Sequence, residues 1–119
     1  MKILVLDDDR VLTMILADHL IDRGHTVVPA YRGNLASRFC EDKDFDLVIV
    51  DFVLAEMTGF EVLEQLRKCN QETRAIIITG FPELLKDESA RLQELDVEAV
   101  LEKPFSFARV DELIENYQK

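Results

Sequence analysis

Hydrophobic and polar positions alternate in blocks along this chain. Short apolar runs are each followed by polar residues, and then by a longer stretch whose apolar residues recur every three or four positions. The short runs are typical of buried strands, and the longer stretches are typical of amphipathic helices. Because this alternation repeats five times, the pattern predicts five successive pairs of a strand and a helix.

Regular alternation of strands and helices predicts an α/β fold, with a doubly wound parallel sheet, right-handed crossovers and helices on both faces. We expect a single domain over residues 1–119, since the chain has neither a linker nor an internal repeat. The predicted strands are 2–6, 25–30, 45–50, 74–79 and about 98–102. The predicted helices are about 10–23, 34–43, a segment from near Thr58, about 83–95, and about 106–117.

Two predicted helices differ in the quality of their apolar faces. The first helix places Leu12, Ile15, Leu16 and Leu20 on one side, which predicts its buried face. The fourth helix, about 83–95, has a stripe that is broken by polar residues at 88 and 89. We therefore expect the fourth helix to be the most mobile, because fewer apolar contacts anchor it.

The charge of the chain excludes some functions. Its 119 residues have 24 Asp and Glu against 14 Lys and Arg, giving a net charge of −10. Direct binding of nucleic acid through charge is not expected, because phosphate backbones require a basic surface. No apolar stretch is long enough to span a membrane, and a strand follows Met1 without room for a signal peptide. Cys40 and Cys69 form no metal-binding pair, so we expect buried, reduced thiols and a cytoplasmic location.

Polar residues collect where the predicted strands end. Asp7 and Asp8 follow the first strand, Asp51 follows the third, Thr79 ends the fourth and Lys103 follows the fifth. The carboxyl ends of parallel strands lie at one edge of the sheet, where such folds bind ligands. Carboxylates, a hydroxyl and an ammonium at one edge suggest a site for phosphate and a divalent cation.

These residues, in this order and at these intervals, resemble a known family. With Gly59 eight residues after Asp51, and with Pro104 and Phe105 after Lys103, the chain resembles the receiver domain of response regulators in two-component signalling. The resemblance covers the whole chain. It implies the CheY-like (flavodoxin-like) fold, with five helices and the strand order 2-1-3-4-5.

The resemblance also implies a role for each site residue. Asp51 would be the nucleophile that accepts a phosphoryl group from a sensor histidine kinase. Asp8 and Asp51 would bind Mg²⁺ directly, Asp7 would act through water, and the backbone carbonyl of Val53 would supply another ligand. Such a protein is a switch rather than an enzyme: it catalyses only its own phosphorylation and a slow autodephosphorylation.

Thr79 and Lys103 would contact the phosphoryl oxygens only after phosphorylation, and so would pull the loops after strands four and five into a second arrangement. The receiving partner would be a downstream protein or effector domain. Receivers often dock such partners, or dimerise, through the face built from the fourth helix, the fifth strand and the last helix.

Three positions depart from the family pattern or modify it. Val100 stands where many receivers have an aromatic residue that moves with the switch, which puts aromatic coupling in doubt. Val53 and Phe81 lie two residues after Asp51 and Thr79, where side chains flank the path of attacking water. We expect this apolar pair to slow the loss of phosphate.

Two other functions remain open at this point. The chain loosely resembles phosphatases of the haloacid dehalogenase type, with Asp7 as nucleophile, Asp9 as acid and base, and Asp111 with Glu112 as later metal ligands. That alternative leaves Asp51 without a role. The second alternative is a protein-binding module that keeps the receiver fold but responds little to phosphate, which the valine at position 100 favours.

Overall fold

A computed structural model describes residues 1–33 and 45–118, and its five strands form one parallel sheet. The strand order is β2-β1-β3-β4-β5, so the predicted α/β class and the order 2-1-3-4-5 are confirmed. Strand boundaries agree with the prediction to within two residues. The strands are β1 (Lys2–Leu6), β2 (Thr26–Ala30), β3 (Leu47–Asp51), β4 (Arg74–Thr79) and β5 (Val97–Glu102).

Four α-helices lie within the described residues. The predicted second helix, 34–43, falls outside them, and so does Cys40. The four helices are α1 (Arg10–Asp22), α2 (Gly59–Cys69), α3 (Ser89–Glu94) and α4 (Phe107–Tyr117).

Local sequence signals set the ends of three of these helices. Asp9, Thr58 and Ser106 each precede a helix and accept a hydrogen bond from the backbone N–H three residues on, at 3.1, 3.3 and 3.1 Å. Such caps satisfy backbone donors that have no partner inside the helix. Gly24, just beyond α1, has a φ of 94°, which glycine adopts more easily than other residues.

Helices cover both faces of the sheet, and each face has its own hydrophobic cluster. Alternate residues of every central strand point to opposite clusters, because successive side chains in a strand face opposite ways. On one face, α1 and α4 contribute Leu16, Leu20, Val110, Leu113 and Ile114. On the other face, α2 and the segment around α3 contribute Phe60, Val62, Leu63, Leu66, Leu85 and Leu95.

The fourth predicted helix is not continuous, which corrects the prediction of one helix over 83–95. A single 3-10 turn, Pro82–Leu85, is followed by α3, which has only six residues. Glu88, before α3, makes no side-chain cap, and no residue of α3 is buried. Most helical stability in proteins comes from packing, and the residues here bury too little surface to stabilise a longer helix.

The buried face of α1 also differs from the prediction. The buried residues are Thr13, Leu16, Ala17 and Leu20, whereas Ile15 is 52% exposed. The prediction of Ile15 as a core residue is therefore wrong. Thr13 is buried although it is polar, because its hydroxyl donates hydrogen bonds to the backbone oxygens of Asp7 and Asp9.

Two further observations concern the expected cellular context. Within the described residues, no helix combines the length and the apolar character needed to cross a bilayer. Cys69 is disulfide-bonded, so the expectation of a reduced thiol is wrong at this position. The cysteines therefore give no support to a cytoplasmic location.

Candidate phosphoacceptor and metal site

Four strand ends meet at the carboxyl edge of the sheet. Asp7 directly follows β1, Asp51 is the last residue of β3, Thr79 is the last of β4, and Lys103 directly follows β5. The register pairs Asp51 with Ile78, one residue before Thr79. The sheet therefore brings together side chains that are far apart in sequence, as the polar strand ends predicted.

Three carboxylates form the centre of this edge. One oxygen each from Asp7, Asp8 and Asp51 lies within 4.8 Å of the other two. Asp7 and Asp51 are buried, while Asp8 is exposed. The three carboxylates are close enough together to hold a metal ion, and no other such group of acidic, histidine or cysteine side chains occurs among the described residues.

The ammonium of Lys103 bridges two of the carboxylates. Its Nζ lies 2.8 Å from Oδ2 of Asp7 and 2.7 Å from Oδ2 of Asp51. The peptide bond between Lys103 and Pro104 is cis. Sequence patterns predicted that Lys103 would reach this edge, but not that it would contact both acids at once.

The pKa values of Asp7 and Lys103 are both raised, for different reasons. Burial raises the pKa of Asp7 above 3.8, and the Asp51 charge adds to this, although Lys103 and the Asp9 N–H oppose it. Burial alone would lower the pKa of Lys103, but its bonds to Asp51 and Asp7 outweigh burial and raise it. The buried acids thus need a cation beside them, and Lys103 supplies one.

Backbone hydrogen bonds orient the carboxylates. The N–H of Asp9 donates to Oδ1 of Asp7 at 3.0 Å, and the N–H of Val53 donates to Oδ1 of Asp51 at 3.1 Å. The buried hydroxyl of Thr13 reaches the backbone oxygens of Asp7 and Asp9, at 3.1 and 2.8 Å. Sequence analysis missed Thr13, since a threonine inside a helix gives no periodic signal.

A cavity of about 320 Å³ opens onto the site. Thr79 is fully buried behind this cavity rather than in its wall, and its hydroxyl accepts a hydrogen bond from the N–H of Phe81 at 2.9 Å. The Thr79 O–H is still available as a donor, but the buried side chain must become accessible from the cavity before it can reach a phosphoryl oxygen. The cavity is lined by Asp8, Asp51, Val53, Leu54, Ala55, Gly80, Phe81 and Lys103.

The residues present fit a hard divalent cation. Oδ2 of Asp7 is buried, and its partner is the ammonium of Lys103, 2.8 Å away. Three carboxylates that each offer an oxygen form the oxygen-rich donor set that Mg²⁺ prefers. Asp8, being exposed, leaves the ligand group open to solvent on one side.

Comparison with known proteins places the chain in a family. Residues 3–115 match the family model described as response regulator receiver domain. The chain therefore belongs to the response regulator receiver domain family, whose members are regulatory signalling modules.

Individual relatives agree with this assignment. The chain is 35% identical over 114 residues to the transcriptional regulatory protein ZraR of Salmonella typhimurium, covering 95% of this chain and 25% of that protein. It is 28% identical over 130 residues to the regulatory protein VanRc of Enterococcus gallinarum, covering 99% of this chain and 52% of that protein. The chain thus spans a quarter to about half the length of these curated relatives.

Solved structures show the same fold. A CheY-like response regulator receiver domain protein from Methanospirillum hungatei superposes with a TM-score of 0.87 at 26% identity. This similarity covers 97% of the present chain and 90% of the other.

Proposed function

We propose that this chain is a phosphorylation-dependent switch, in which Asp51 accepts a phosphoryl group from a sensor histidine kinase with the aid of Mg²⁺. The observation that carries the proposal is the position of Lys103, whose ammonium lies between Asp7 and Asp51 while Asp8 completes the carboxylate group. A cation bound to two acids is well placed for the oxygens of an incoming phosphoryl group.

The chemistry is a direct phosphoryl transfer. An oxygen of the Asp51 carboxylate attacks phosphorus, the P–N bond to the donor histidine breaks, and the imidazole leaves with the electron pair and takes up a proton. Bound Mg²⁺ would be held by Asp8, Asp51, the carbonyl of Val53 and, through water, Asp7, and would offset negative charge on the phosphoryl oxygens. Slow hydrolysis of the acyl phosphate resets the protein.

Two residues would read the phosphorylated state. Lys103 leaves its resting partners to contact the new oxygens, and Thr79 donates its O–H to the phosphoryl group. Both contacts form only when phosphate is present, so both favour a second arrangement of the loops after β4 and β5. This difference in contacts is what would transmit the signal.

An exposed apolar stripe supports docking of a protein phosphodonor beside the site. Val11, Met14 and Ile15 are 68%, 56% and 52% exposed, and they lie on α1 just after the acidic residues 7–9. Residues three and four apart share a helix face. A partner that brings its histidine to Asp51 would cover this stripe.

Downstream partners and location are parts of the same proposal. A target protein, an effector domain or a second copy would bind the face formed by α3, β5 and α4, and DNA binding would belong to a separate effector domain rather than to this acidic unit. A cytoplasmic location follows from a donor kinase that draws on cellular ATP.

Labelling with acetyl phosphate tests the proposal without the kinase. With Mg²⁺, intact-protein mass spectrometry should detect one added phosphoryl group, and Asp51→Asn should abolish it. Asp9→Asn is the matched control, because the Asp9 side chain caps α1, which asparagine does equally well, while the Asp9 bonds to the site come from its backbone. Labelling that persists in Asp51→Asn would contradict the assignment of Asp51.

The same variants separate the alternatives. A phosphatase of the haloacid dehalogenase type would turn over p-nitrophenyl phosphate, lose activity with Asp7→Asn and keep it with Asp51→Asn. A binding module with little switching would show no Mg²⁺-dependent label, or a label without any change in amide exchange around residues 79–88. Val100, 38% exposed and without an aromatic ring, is the observation that keeps this second candidate in view.

A further inference from the structure

The side chain of Arg67 ties together two turns at the opposite, amino edge of the sheet. Arg67 lies in the last turn of α2, and its guanidinium donates hydrogen bonds to three backbone carbonyls. Nε bonds to the oxygen of Leu95 at 2.9 Å, Nη2 bonds to the oxygen of Asp96 at 3.4 Å, and Nη1 bonds to the oxygen of Thr73. The planar fork of arginine suits several acceptors at once.

The three carbonyls belong to places where the chain changes direction. Leu95 ends α3 and is buried, and Asp96, just before β5, has a φ of 57°, unusual for a residue other than glycine. Thr73 directly precedes β4 and is buried, with its hydroxyl donating to the oxygen of Phe45 at 3.1 Å. One side chain therefore joins the end of α3 and the starts of β4 and β5 to α2.

The other end of α3 has much weaker support. Glu88 gives α3 no side-chain cap, and Gly80 and Phe81, which connect this region to Thr79, are both exposed. Buried Leu85 is the main anchor between Thr79 and α3. The segment 80–94 is therefore fixed at its far end and loosely held at the end nearest the phosphoacceptor site.

We propose that Arg67 is a positioning residue that holds the turn between α3 and β5 in place, so that any rearrangement beginning at Thr79 is confined to residues 80–94. These residues turn about the Leu95 end, and the start of β5 stays still. Arg67 does not touch the site; it sets which part of the chain moves. The resting role of Arg67 is independent of the proposed function, and only the activation step rests on it.

Amide exchange of the resting protein tests this role of Arg67 directly. In the wild type, the amides of Leu95 and Asp96, bonded to Arg91 and Gln93 oxygens at 3.0 Å, should exchange slowly, and the first residues of α3 should exchange faster than α2. Arg67→Gln should speed exchange at 95–98 about tenfold or more. Arg67→Lys, which keeps the charge but loses the fork, should fall between the two.

Arg91→Gln is the matched control. Arg91 also joins α3 to α2, through an ion pair with Glu64, and it pairs with Glu94 within α3, but no hydrogen bond links its side chain to a carbonyl of the turn. It should leave exchange at 95–98 unchanged. Equal protection at 95–98 in Arg67→Gln and the wild type, or equal loss in both variants, would overturn the proposal. Circular dichroism checks folding, and Arg67→Lys carries the test if Arg67→Gln does not fold.

The activated state gives the second arm. With Mg²⁺ and beryllium trifluoride as a phosphoryl mimic, exchange in the wild type should change within 80–94 and stay constant at 95–98. In Arg67→Gln the change should spread into 95–98. Spreading in the wild type itself would overturn the proposal, whereas no response in either protein would count against the proposed function and leave the resting comparison to decide the role of Arg67.

Discussion

Lys103 holds together two carboxylates that would repel each other without it. We expect Lys103→Met to lower the free energy of unfolding by about 2 kcal/mol at neutral pH, since it leaves Asp7 and Asp51 facing each other in a buried place. Urea denaturation measures the change. Lys86→Met, at an exposed lysine with no ion pair in the described structure, is the control.

Added Mg²⁺ should reverse part of this loss. A divalent cation at the carboxylates replaces the missing charge, so it should stabilise Lys103→Met more than the wild type. A variant as stable as the wild type, with the same response to Mg²⁺, would contradict the role of Lys103 as the resting counter-ion.

His25 makes stability depend on mildly acidic pH. Burial, and then the charge of the chain's amino terminus, lower the pKa of His25 below 6.5, and its Nδ1 lies 3.3 Å from the Met1 ammonium. Below pH 6.5, His25 therefore becomes protonated in the unfolded chain before it does so in the folded chain. The free energy of unfolding should rise with pH toward 6.5 and be lost as pH falls below it.

Replacement of this histidine tests the sign. We expect His25→Gln to flatten the dependence of urea stability on pH between about pH 5 and pH 6.5. An unchanged slope across that window would show that other groups carry it.

The lifetime of the phosphorylated state should depend on two apolar side chains. Val53 and Phe81 line the cavity at the site and are 41% and 54% exposed, so they stand where water would approach Asp51. After labelling with acetyl phosphate, Val53→Asn and Phe81→Glu should each speed decay several-fold. A wild-type half-life of seconds that neither variant shortens would count against this role.

Single residues show where sequence patterns lose their power. The strand-end pattern and the family resemblance led to Asp7, Asp8, Asp51 and Lys103, and the structure brings all four together. Thr13 and Arg67 carried no such signal, because their partners are backbone oxygens that any residue supplies. Only the folded chain places those oxygens within reach.

At the scale of elements, the close approach of α2 to the end of β3 depends on one glycine. A Cβ atom at Gly59 would lie 2.9 Å from the backbone oxygen of Asp51 and 3.0 Å from Cα of Phe52. Gly59→Ala should therefore push back the strand end that carries Asp51. We expect a loss of about 1–3 kcal/mol in unfolding free energy, with slower labelling of Asp51.

Gly80 provides the matched control. No atom lies within 4 Å of a Cβ placed there, so Gly80→Ala should change stability by no more than about 0.5 kcal/mol. Equal effects of the two substitutions in thermal denaturation would contradict the packing account.

Element types followed from periodicity and caps, while element continuity did not. The caps at Asp9, Thr58 and Ser106 are side chains of types that cap helices by local chemistry. The break before α3 and the exposure of Ile15 depend on which face finds a partner, and a periodic pattern cannot tell that.

At the scale of the molecule, the sheet couples two hydrophobic clusters into one folding unit. Ile76 and Ile77 are adjacent in β4 and fully buried, yet they belong to opposite clusters. Ile76→Val and Ile77→Val should each cost about 0.5–1.5 kcal/mol. Both should keep one cooperative transition by circular dichroism and by tyrosine fluorescence, since both faces share the same strands.

Two separate transitions in either variant would mean that the faces unfold independently.

The fold class itself was predictable from the alternation of strands and helices, because parallel strands need crossovers. The order of the strands was not predictable in this way, because periodicity does not indicate which strands are neighbours. The order came from the family resemblance, and the sheet confirms it.

The outermost strands of this sheet have a consequence for behaviour in crowded solution. β2 contains Pro29, which removes one donor from that margin, and β5 exposes Glu98 and Glu102, whose like charges would face each other if two β5 margins met. Neither margin readily accepts another strand. Copies of the protein should therefore not pair strand to strand and grow into fibrils, and this protection is independent of phosphate.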